Sequence, residues 1–353
     1  MLDYIIVGSG LAGISFAEVA LANNKKIVVF DNHSQNSTTV AGGLYNPVVL
    51  KRFTEVWKAP EQLQFLDKFY ANLEAKLTLR INFQMPVYRK FYSVEEQNNW
   101  FIASDKPKLT PFLSTHLITK KYQGITAPFG FGEVKHSGFV DTHLLLTQYQ
   151  NYLRNTGLLK EEEFDYSSLA IMLDSIAYKG IEAKQILFAE GFGLHQNPFF
   201  NCLPLDGTKG ELLLIKAPDL KLDVIVNTSI FILPLGDGFF KVGATYNWED
   251  KTIQITEEGK KELIEKLDEV LTCDYEIVVQ LAGIRPTVKD RRPLVGVHPN
   301  CNKMYVLNGL GTRGVMIGPY LAHQLFQHIE YNQPIDPEAD IKRFRKIRWN
   351  NIL

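Results

Sequence analysis

The opening of the chain alternates between short apolar runs and a segment of small residues. Residues 3–7 and 26–31 consist mainly of consecutive apolar side chains, and Leu11–Ala22 between them is rich in alanine and other apolar residues. Continuous apolar runs of this length are typical of strands buried on both faces of a parallel sheet, and the longer segment is typical of a buried helix. The pattern predicts a βαβ unit with parallel strands and a right-handed crossover.

The middle of the chain has a different pattern. Between residues 210 and 279, apolar and polar positions alternate in three stretches, 211–216, 224–233 and 239–245. Alternation with period two predicts strands with one exposed face, and therefore an antiparallel sheet. Before it, residues 60–128 combine a helical stretch with proline breaks, and we interpret them as an insertion.

The remaining segments return to the first pattern. Residues 185–191 and 304–309 are apolar runs that each end at a glycine, and residues 142–155 and 314–331 have the length and composition of helices. Asp141 stands where a helix N-cap is expected. The whole pattern predicts an α/β chain, α+β overall, with a Rossmann-like domain and a second domain built on an antiparallel sheet.

Composition narrows the class of protein. With 353 residues, 45% hydrophobic and 22% charged, the chain can bury a large core. Lys and Arg number 38 against 39 Asp and Glu, so no global positive field favours nucleic acid or a membrane surface. No bilayer-length apolar stretch or export signal is visible, and with three scattered cysteines the sequence favours a cytoplasmic protein. The histidines lack metal-binding spacing, so no metal site is predicted.

The turn after the first predicted strand carries a dinucleotide-binding pattern. Residues 8–13 read Gly-Ser-Gly-Leu-Ala-Gly, where Gly8 permits the tight turn, Gly10 the approach of a pyrophosphate, and Gly13 close packing of the helix. Asp31 ends the second strand at the spacing expected of an acid that accepts hydrogen bonds from an adenosine ribose. This motif alone leaves NAD and FAD open.

Three further segments distinguish between the two cofactors. Residues 37–44 read Ser-Thr-Thr-Val-Ala-Gly-Gly-Leu, residues 282–287 read Ala-Gly-Ile-Arg-Pro-Thr, and residues 309–314 read Gly-Leu-Gly-Thr-Arg-Gly. In this order they resemble the D-amino-acid oxidase superfamily, most closely its glycine oxidase branch. The resemblance covers nearly the whole chain and implies a non-covalently bound FAD. Residues 41–47 and 309–314 are also similar to the oxidase half of the bifunctional enzymes that finish a wobble-uridine side chain in tRNA.

The resemblance implies a domain division and a set of cofactor contacts. Residues 1–60, 138–205 and 283–353 are expected to form a discontinuous FAD-binding domain, and residues 61–137 and 206–282 the substrate-binding domain. The implied FAD-binding residues are Gly8, Ser9, Gly10, Leu11, Ala12, Gly13, Asp31, Asn32, Ser37, Thr38, Thr39, Gly42, Gly43, Leu44, Tyr166, Gly191, Gly309, Leu310, Gly311, Thr312, Arg313, Gly314, Val315 and Met316.

Three residues are implied to act on the substrate. Arg285 is expected to hold a substrate carboxylate by two parallel hydrogen bonds; the alternative is a structural arginine paired with Asp290 or a carbonyl group. Tyr246 is expected to shape the amine site over the flavin, with core packing as the alternative. Thr312 matches a substrate-side position, and the adjacent Arg313 can face flavin, substrate or solvent.

The resemblance implies an FAD-dependent oxidoreductase that oxidises the C–N bond of a small amine or amino acid of the glycine, sarcosine or D-amino-acid type. A hydride would pass to flavin N5, and oxygen would be reduced to hydrogen peroxide. Phe231 stands where close relatives carry a tyrosine, which leaves the identity of the amine open. A small-molecule partner is expected, nucleic acid and membrane are not, and the oligomeric state is open.

Three alternatives remain at this point. One is an oxidase for an N-carboxymethyl group of modified tRNA, with the basic segment 342–349 as an RNA contact in place of a solvated C-terminal helix. The second is a flavin-binding protein without turnover. The third is a nicotinamide dehydrogenase, which has no need of the segments at 37–44 and 309–314.

Overall fold

The computed structural model describes residues 1–344 and 346–349. In this part of the chain the α-helices are α1 (Leu11–Ala22), α2 (Ser37–Val40), α3 (Ala59–Leu77), α4 (Val94–Ser104), α5 (Thr142–Asn155), α6 (Glu257–Asp268) and α7 (Gly314–Tyr331). The strands are β1 (Leu2–Val7), β2 (Ile27–Phe30), β3 (Leu44–Tyr45), β4 (Val48–Val49), β5 (Thr54–Glu55), β6 (Asn82–Gln84), β7 (Val87–Lys90), β8 (Leu113–Ile118), β9 (Phe131–Val134), β10 (Gly138–Val140), β11 (Leu159–Lys160), β12 (Leu169–Ile171), β13 (Ile176–Tyr178), β14 (Ile181–Phe188), β15 (Thr208–Lys216), β16 (Ile225–Asn227), β17 (Phe231–Gly236), β18 (Phe239–Gly243), β19 (Glu276–Arg285), β20 (Leu294–His298) and β21 (Cys301–Asn308).

The first sheet is built around the parallel core that the opening pattern predicts. Its strands lie in the order β11-β2-β1-β14-β13-β12, and β21 also pairs with β14 and carries β20. β1 is parallel to β2 and to β14, and β14 is parallel to β21, so the carboxyl ends of these strands meet at one edge. α1 packs against α7, which also contacts α3. The turns that follow β1, β2, β14 and β21 therefore gather at this edge, where parallel sheets bind ligands.

The second sheet has the strand order β19-β15-β18-β17-β16-β7-β9-β8. Its neighbouring strands are antiparallel, as predicted, except that β16 and β7 run parallel. The exception arises because β7 comes from the segment that the sequence pattern presents as an insertion. The stretch predicted as one strand at 224–233 is a hairpin, with β16 and β17 joined by a tight turn.

The alternating pattern between residues 210 and 279 also contains a helix that it did not predict. In α6, Leu263 and Leu267 are buried against the second sheet. Apolar residues four positions apart share one face of a helix, so this spacing is the local signal for α6. Among the described residues, no helix is long and apolar enough to cross a bilayer. The predicted domain boundaries remain a prediction.

Candidate active site

The turn between β1 and α1 leaves a bare helix N-terminus at the edge of the first sheet. Gly8 has a φ of +101°, a left-handed conformation that favours glycine. A Cβ on Gly13 would lie 1.8 Å from the Gly8 carbonyl oxygen, so only glycine lets α1 start this close to the turn. Gly10 occupies the N-cap position without a capping side chain, and the Leu11 amide donates to Thr38 Oγ1 at 3.2 Å. The other first-turn amides are suited to an anion.

Asp31, just after β2, is held in place by the same turn. Its Oδ2 accepts hydrogen bonds from the backbone N–H and the hydroxyl of Ser9, the latter at 2.6 Å, and its Oδ1 accepts from the His33 amide at 2.6 Å. Gln150 of α5 donates to the Ser9 hydroxyl at 2.7 Å. Ser9 is buried, so it positions the acid instead of facing the cavity.

A cavity of 1120 Å³ extends from this turn to the face of the second sheet. The predicted site residues Ser9, Gly13, Gly309 and Met316 do not line it. Met316 belongs to α7 and is buried in the hydrophobic core. The other predicted site residues line the cavity. They are Gly8, Gly10, Leu11, Ala12, Asp31, Asn32, Ser37, Thr38, Thr39, Gly42, Gly43, Leu44, Tyr166, Gly191, Tyr246, Arg285, Leu310, Gly311, Thr312, Arg313, Gly314 and Val315.

The cavity suits the elongated cofactor that the sequence predicts. Two helices, α1 and α7, begin at its wall, and the N-cap residues Gly10 and Arg313 make no capping hydrogen bond with a side chain. Helix N-termini stabilise negative charge, so α1 fits a pyrophosphate and α7 fits the electron-rich pyrimidine end of a flavin. Asp31 lines the same wall beside α1, where the ribose of an adenosine would lie. The residues present therefore fit FAD.

Glu190 adds a carboxyl group to the cavity wall that the sequence patterns do not single out. It follows β14 and accepts hydrogen bonds from the Tyr166 hydroxyl and from Asn197 Nδ2, the latter at 2.7 Å. Burial raises the pKa of Glu190 to about 7, and its two donors oppose the rise. The available signal is the order strand, acid, glycine at residues 188–191, but the burial of the acid is not readable from it.

Arg285 ends β19 at the cavity wall, and none of the described residues gives it an anionic partner. Its Nη1 donates to the carbonyl oxygens of Thr245 at 3.2 Å and Lys209 at 3.4 Å. Its guanidinium carbon lies 4.5 Å from the centre of the Tyr246 ring. Burial lowers the pKa of Arg285, and no described carboxylate contributes to the shift. A guanidinium stays charged in proteins, so the site holds a partly desolvated positive charge.

Gly210 makes room for this guanidinium. A Cβ at this position of β15 would lie 1.9 Å from Arg285 Nη2 and 2.3 Å from Nη1. Arg285 pairs in register with Thr208, and Gly210 and Leu212 follow on the same face of β15 because side chains alternate with period two. Arg285 therefore lies along the sheet, with its head over Gly210 at the cavity wall.

Arg313 supplies a second positive charge near Tyr246. Burial lowers the pKa of Arg313, and Tyr246 partly opposes the shift, as it does for Arg285. None of the described carboxylates contributes to the pKa of Arg313. Tyr246 is 60% exposed, so it lies at the mouth of the cavity and not in the core. Thr312 is exposed and lines the same region.

Lys209 lies beside Arg285 and is neutralised by the protein itself. Its side chain is 1% exposed, and its Nζ lies 2.5 Å from Asp250 Oδ2 and 3.9 Å from Glu211 Oε1. Its backbone N–H and C=O bond with Asn247 at 2.9 and 3.0 Å. The hydrogen bond from Lys209 is the largest cause that lowers the pKa of Asp250 to about 2. Lys209 thus fastens β15 to the exposed loop after β18.

The basic C-terminal segment is tied to the body of the protein. Arg343 Nε lies 2.9 Å from Asp290 Oδ2, so of the two partners considered for a structural Arg285, Asp290 belongs to Arg343, while the carbonyl contacts are present at Thr245 and Lys209. Ile347 and Trp349 pack against a buried apolar cluster, and Ile341–Arg343 forms a single 3₁₀ turn in place of a solvated helix. Arg345 lies outside the described residues. Within the described ranges, no three side chains form a group that could hold a metal ion.

Comparisons with known proteins agree with this geometry. A glycine oxidase of Bacillus subtilis is 20% identical over 364 residues, which cover 94% of this chain and 94% of that protein. The crystal structure of a glycine oxidase from Bacillus cereus superposes with a TM-score of 0.74 at 19% identity, covering 95% of this chain and 96% of that one. At this identity the superposition supports the fold.

A second relative is matched over a smaller part. The tRNA 5-methylaminomethyl-2-thiouridine biosynthesis bifunctional protein of Marinobacter nauticus is 28% identical over 167 residues, which cover 43% of this chain and 26% of that protein. A family model described as FAD dependent oxidoreductase (DAO) matches residues 3–327. This match spans the glycine turn, the Arg285 segment and the loop before α7. The chain therefore belongs to the DAO family of FAD dependent oxidoreductases.

Proposed function

We propose that the protein oxidises the C–N bond of a glycine-type amino acid, with oxygen as the final electron acceptor. The observation that carries this proposal is Arg285, a charged group at the cavity wall that receives only carbonyl oxygens and an aromatic ring from the described part of the chain. A desolvated guanidinium without an anion is unfavourable in the free protein. A substrate carboxylate would supply the missing negative charge and accept two parallel hydrogen bonds from the guanidinium.

The residues around the cavity would orient the substrate. Arg285 and Arg313 would hold the carboxylate, and Tyr246 would cover the amine at the cavity mouth. A carboxylate fixed in this way sets the direction of the Cα–H bond, and orientation of this kind is a large part of catalysis. When bound, FAD accepts the hydride from the carbon beside the nitrogen. Water then hydrolyses the imine product, so the chain needs no nucleophile.

The cofactor would be held without a covalent bond. Cys202, Cys273 and Cys301 do not line the cavity, and Cys301 is buried in β21. The pyrophosphate would meet the first turn of α1 and the hydroxyl groups of Ser37, Thr38 and Thr39 in α2. Flavin released intact by acid or heat would agree with this; flavin that stays with the denatured chain would contradict it.

The decisive experiment is anaerobic reduction of the bound flavin by candidate substrates. We expect glycine, sarcosine or another N-alkyl glycine to bleach the visible flavin absorbance, and Arg285→Met to abolish bleaching while dithionite still reduces the cofactor. Readmitted oxygen would restore the absorbance and yield hydrogen peroxide. If no amine bleaches a flavin that dithionite reduces, a flavin protein without turnover becomes the better description.

A second candidate is oxidation of an N-carboxymethyl group on a modified tRNA uridine. The similarity to the Marinobacter nauticus protein favours it, although that match covers 26% of the relative. The substituent is itself an N-substituted glycine, so the same roles for Arg285 and Arg313 would apply. Bleaching by tRNA that carries this group, with sarcosine inactive, would support the second candidate. Because Arg343 is paired with Asp290, truncating the C-terminal segment is a poor test of RNA binding.

A further inference from the structure

The floor of the cavity continues across the second sheet, away from Arg285. Leu212, Gly243, Phe231, Asn227 and Arg89 are in register on β15, β18, β17, β16 and β7. Residues directly opposite one another on neighbouring strands share a face of the sheet. All five of these residues line the cavity. The cavity therefore has a second end, several strands from the proposed carboxylate site.

The charges at this second end are already balanced. Arg89 donates from Nε and Nη2 to Glu96 Oε1 at 3.0 and 2.8 Å, and from Nη1 to Asn227 Oδ1 at 3.1 Å and the Thr228 carbonyl at 2.6 Å. Glu96 Oε2 accepts from the Tyr92 amide at 2.8 Å. A guanidinium has five N–H donors, so Arg89 has no pair of parallel donors left for a carboxylate. In this it differs from Arg285.

Arg89 instead sets the orientation of a neutral hydrogen-bonding group. Because the Asn227 oxygen faces the guanidinium, Asn227 presents its amide nitrogen as a donor. Asn99 of α4 brings a second amide to the same wall, and Glu96 and Ser229 bring acceptor oxygens. Together these groups offer hydrogen-bond donors and acceptors with no net charge. Such a set matches the donors and acceptors along the edge of an amide or ureide.

The passage between the two ends is largely apolar and has a definite length. Gly210, over which the head of Arg285 lies, is three strands from Asn227, roughly 14 Å at about 4.8 Å per strand. It is also two residues out of register with Asn227, about 7 Å along the strand, so roughly 16 Å separate them. After about 3 Å for each terminal hydrogen bond, a molecule that bridges both ends spans roughly 10 Å. Glycine and sarcosine are too short for this. The apolar side chains of this part of the lining are Leu50, Phe53, Ile230 and Phe231, and the exposed Lys51, next to Leu50 in the chain, also lines the cavity.

We propose that Asn227, Asn99 and Glu96 form a second recognition site, which takes a neutral amide-like group carried on the amine nitrogen of the substrate. This inference rests on the proposed function, since the carboxylate at Arg285 fixes the near end. The substrate class is then an N-substituted glycine with an apolar spacer and an uncharged tip that both donates and accepts hydrogen bonds. Arg89 is a positioning residue, because it acts through Asn227.

The test compares three substrates of equal size that differ at the tip: N-(5-carbamoylpentyl)glycine, N-(6-methylheptyl)glycine and N-(5-carboxypentyl)glycine. We expect the carbamoyl compound to have a kcat/KM about tenfold above the other two, since one net hydrogen bond corresponds to about that factor. Asn227→Asp keeps an oxygen for Arg89 but removes the donor, and it should reduce the preference to about twofold or less. Asn98→Asp, in α4 next to Asn99 but outside the cavity wall, should leave the preference intact.

The outcomes separate the two levels of the proposal. Equal kcat/KM for the three tips, or a preference for the methyl or carboxylate tip, overturns the second site while the oxidase function stands. If none of the three and no simple N-alkyl glycine bleaches the flavin, the proposed function fails and the second site fails with it. The comparison of tips in the unmodified enzyme decides the matter even if Asn227→Asp does not fold.

Discussion

Two cations on neighbouring strands, Arg285 and Lys209, have opposite electrostatic surroundings. Lys209 pairs in register with Ile284, the residue before Arg285. The Lys209 ammonium is enclosed and lies 2.5 Å from Asp250 Oδ2, whereas among the residues the structure describes Arg285 contacts only carbonyl oxygens and the Tyr246 ring. A buried charge with an internal partner serves the fold, and a desolvated charge without one is available to a ligand. The contrast distinguishes a structural cation from a binding one.

The sharpest way to break the comparison is Arg285→Met. We expect kcat/KM for a carboxylate substrate to fall by at least about 100-fold, because two charge-assisted hydrogen bonds of about 1.5 kcal/mol each are lost. The free energy of unfolding should stay the same or rise, since no carboxylate in residues 1–344 or 346–349 would lose its partner with Arg285. Steady-state kinetics and thermal melts of the same preparation measure both. A large loss of stability would mean that Arg285 is structural.

Lys209→Met should have the opposite signature. Removing the enclosed Lys209 ammonium leaves the buried Glu211 and the partly exposed Asp250 without their cation, and we expect a loss of about 3 kcal/mol, or about 4 °C in Tm for a chain of this length. The double variant Lys209→Met/Asp250→Asn should recover part of the loss, because only one of the two carboxylates, Glu211, then lacks its cation. A Tm equal to that of the unmodified protein would show that the pair is not a stabilising one.

Acid should weaken the Lys209–Asp250 pair in a defined range. The pKa of Asp250 is lowered to about 2 from its usual 3.8, so its charge contributes stability above about pH 4 and loses that contribution as the pH falls towards 2. Asp250→Asn should therefore melt below the unmodified protein near neutral pH, and the gap should narrow only below pH 4. Thermal melts across this range test the prediction; a gap that is constant down to pH 3 would argue against it.

The smallest effect is expected from a neighbouring ion pair in the same loop. Lys251 Nζ lies 3.2 Å from Asp206 Oδ1, and both side chains are about one-third exposed. Exposed pairs contribute about 1 kcal/mol or less and are screened by salt, so Lys251→Ala should change the free energy of unfolding by less than that. This variant is the matched control for Lys209→Met. An equal destabilisation by both would trace the effect to the loop and not to burial.

Local pattern was sufficient for the parallel half of the fold and for the family. The apolar runs and the glycine turn at residues 8–13 predicted β1, α1 and β2, and the family match confirms the FAD-dependent oxidoreductase that the Arg285 and Gly309–Gly314 segments implied. Each of these features lies within one short segment of the chain, so it can be identified without knowing how distant segments pair. The individual roles of Arg285, Tyr246 and Thr312 remain predictions.

What the sequence did not predict depends on pairings between distant segments. Lys209 and Asp250 are brought together by the loop after β18, and no spacing rule identifies them. Arg89 reaches the cavity only because β7 pairs in parallel with β16, which is a property of the whole sheet. The pKa of Glu190 depends on burial, and burial is set by packing from several elements. Local motifs therefore predict only part of the site, and its remaining contacts depend on the tertiary structure.

The bare backbone at Gly210 has a practical consequence. A methyl group there would occupy the space of the Arg285 guanidinium while leaving every residue of the α1 turn unchanged. Gly210→Ala should therefore yield a yellow protein that still binds its cofactor. Dithionite should still reduce the flavin of this variant, whereas amino acids should not. Such a protein would serve as a spectroscopic blank, against which slow or unexpected substrates of the native enzyme can be recognised.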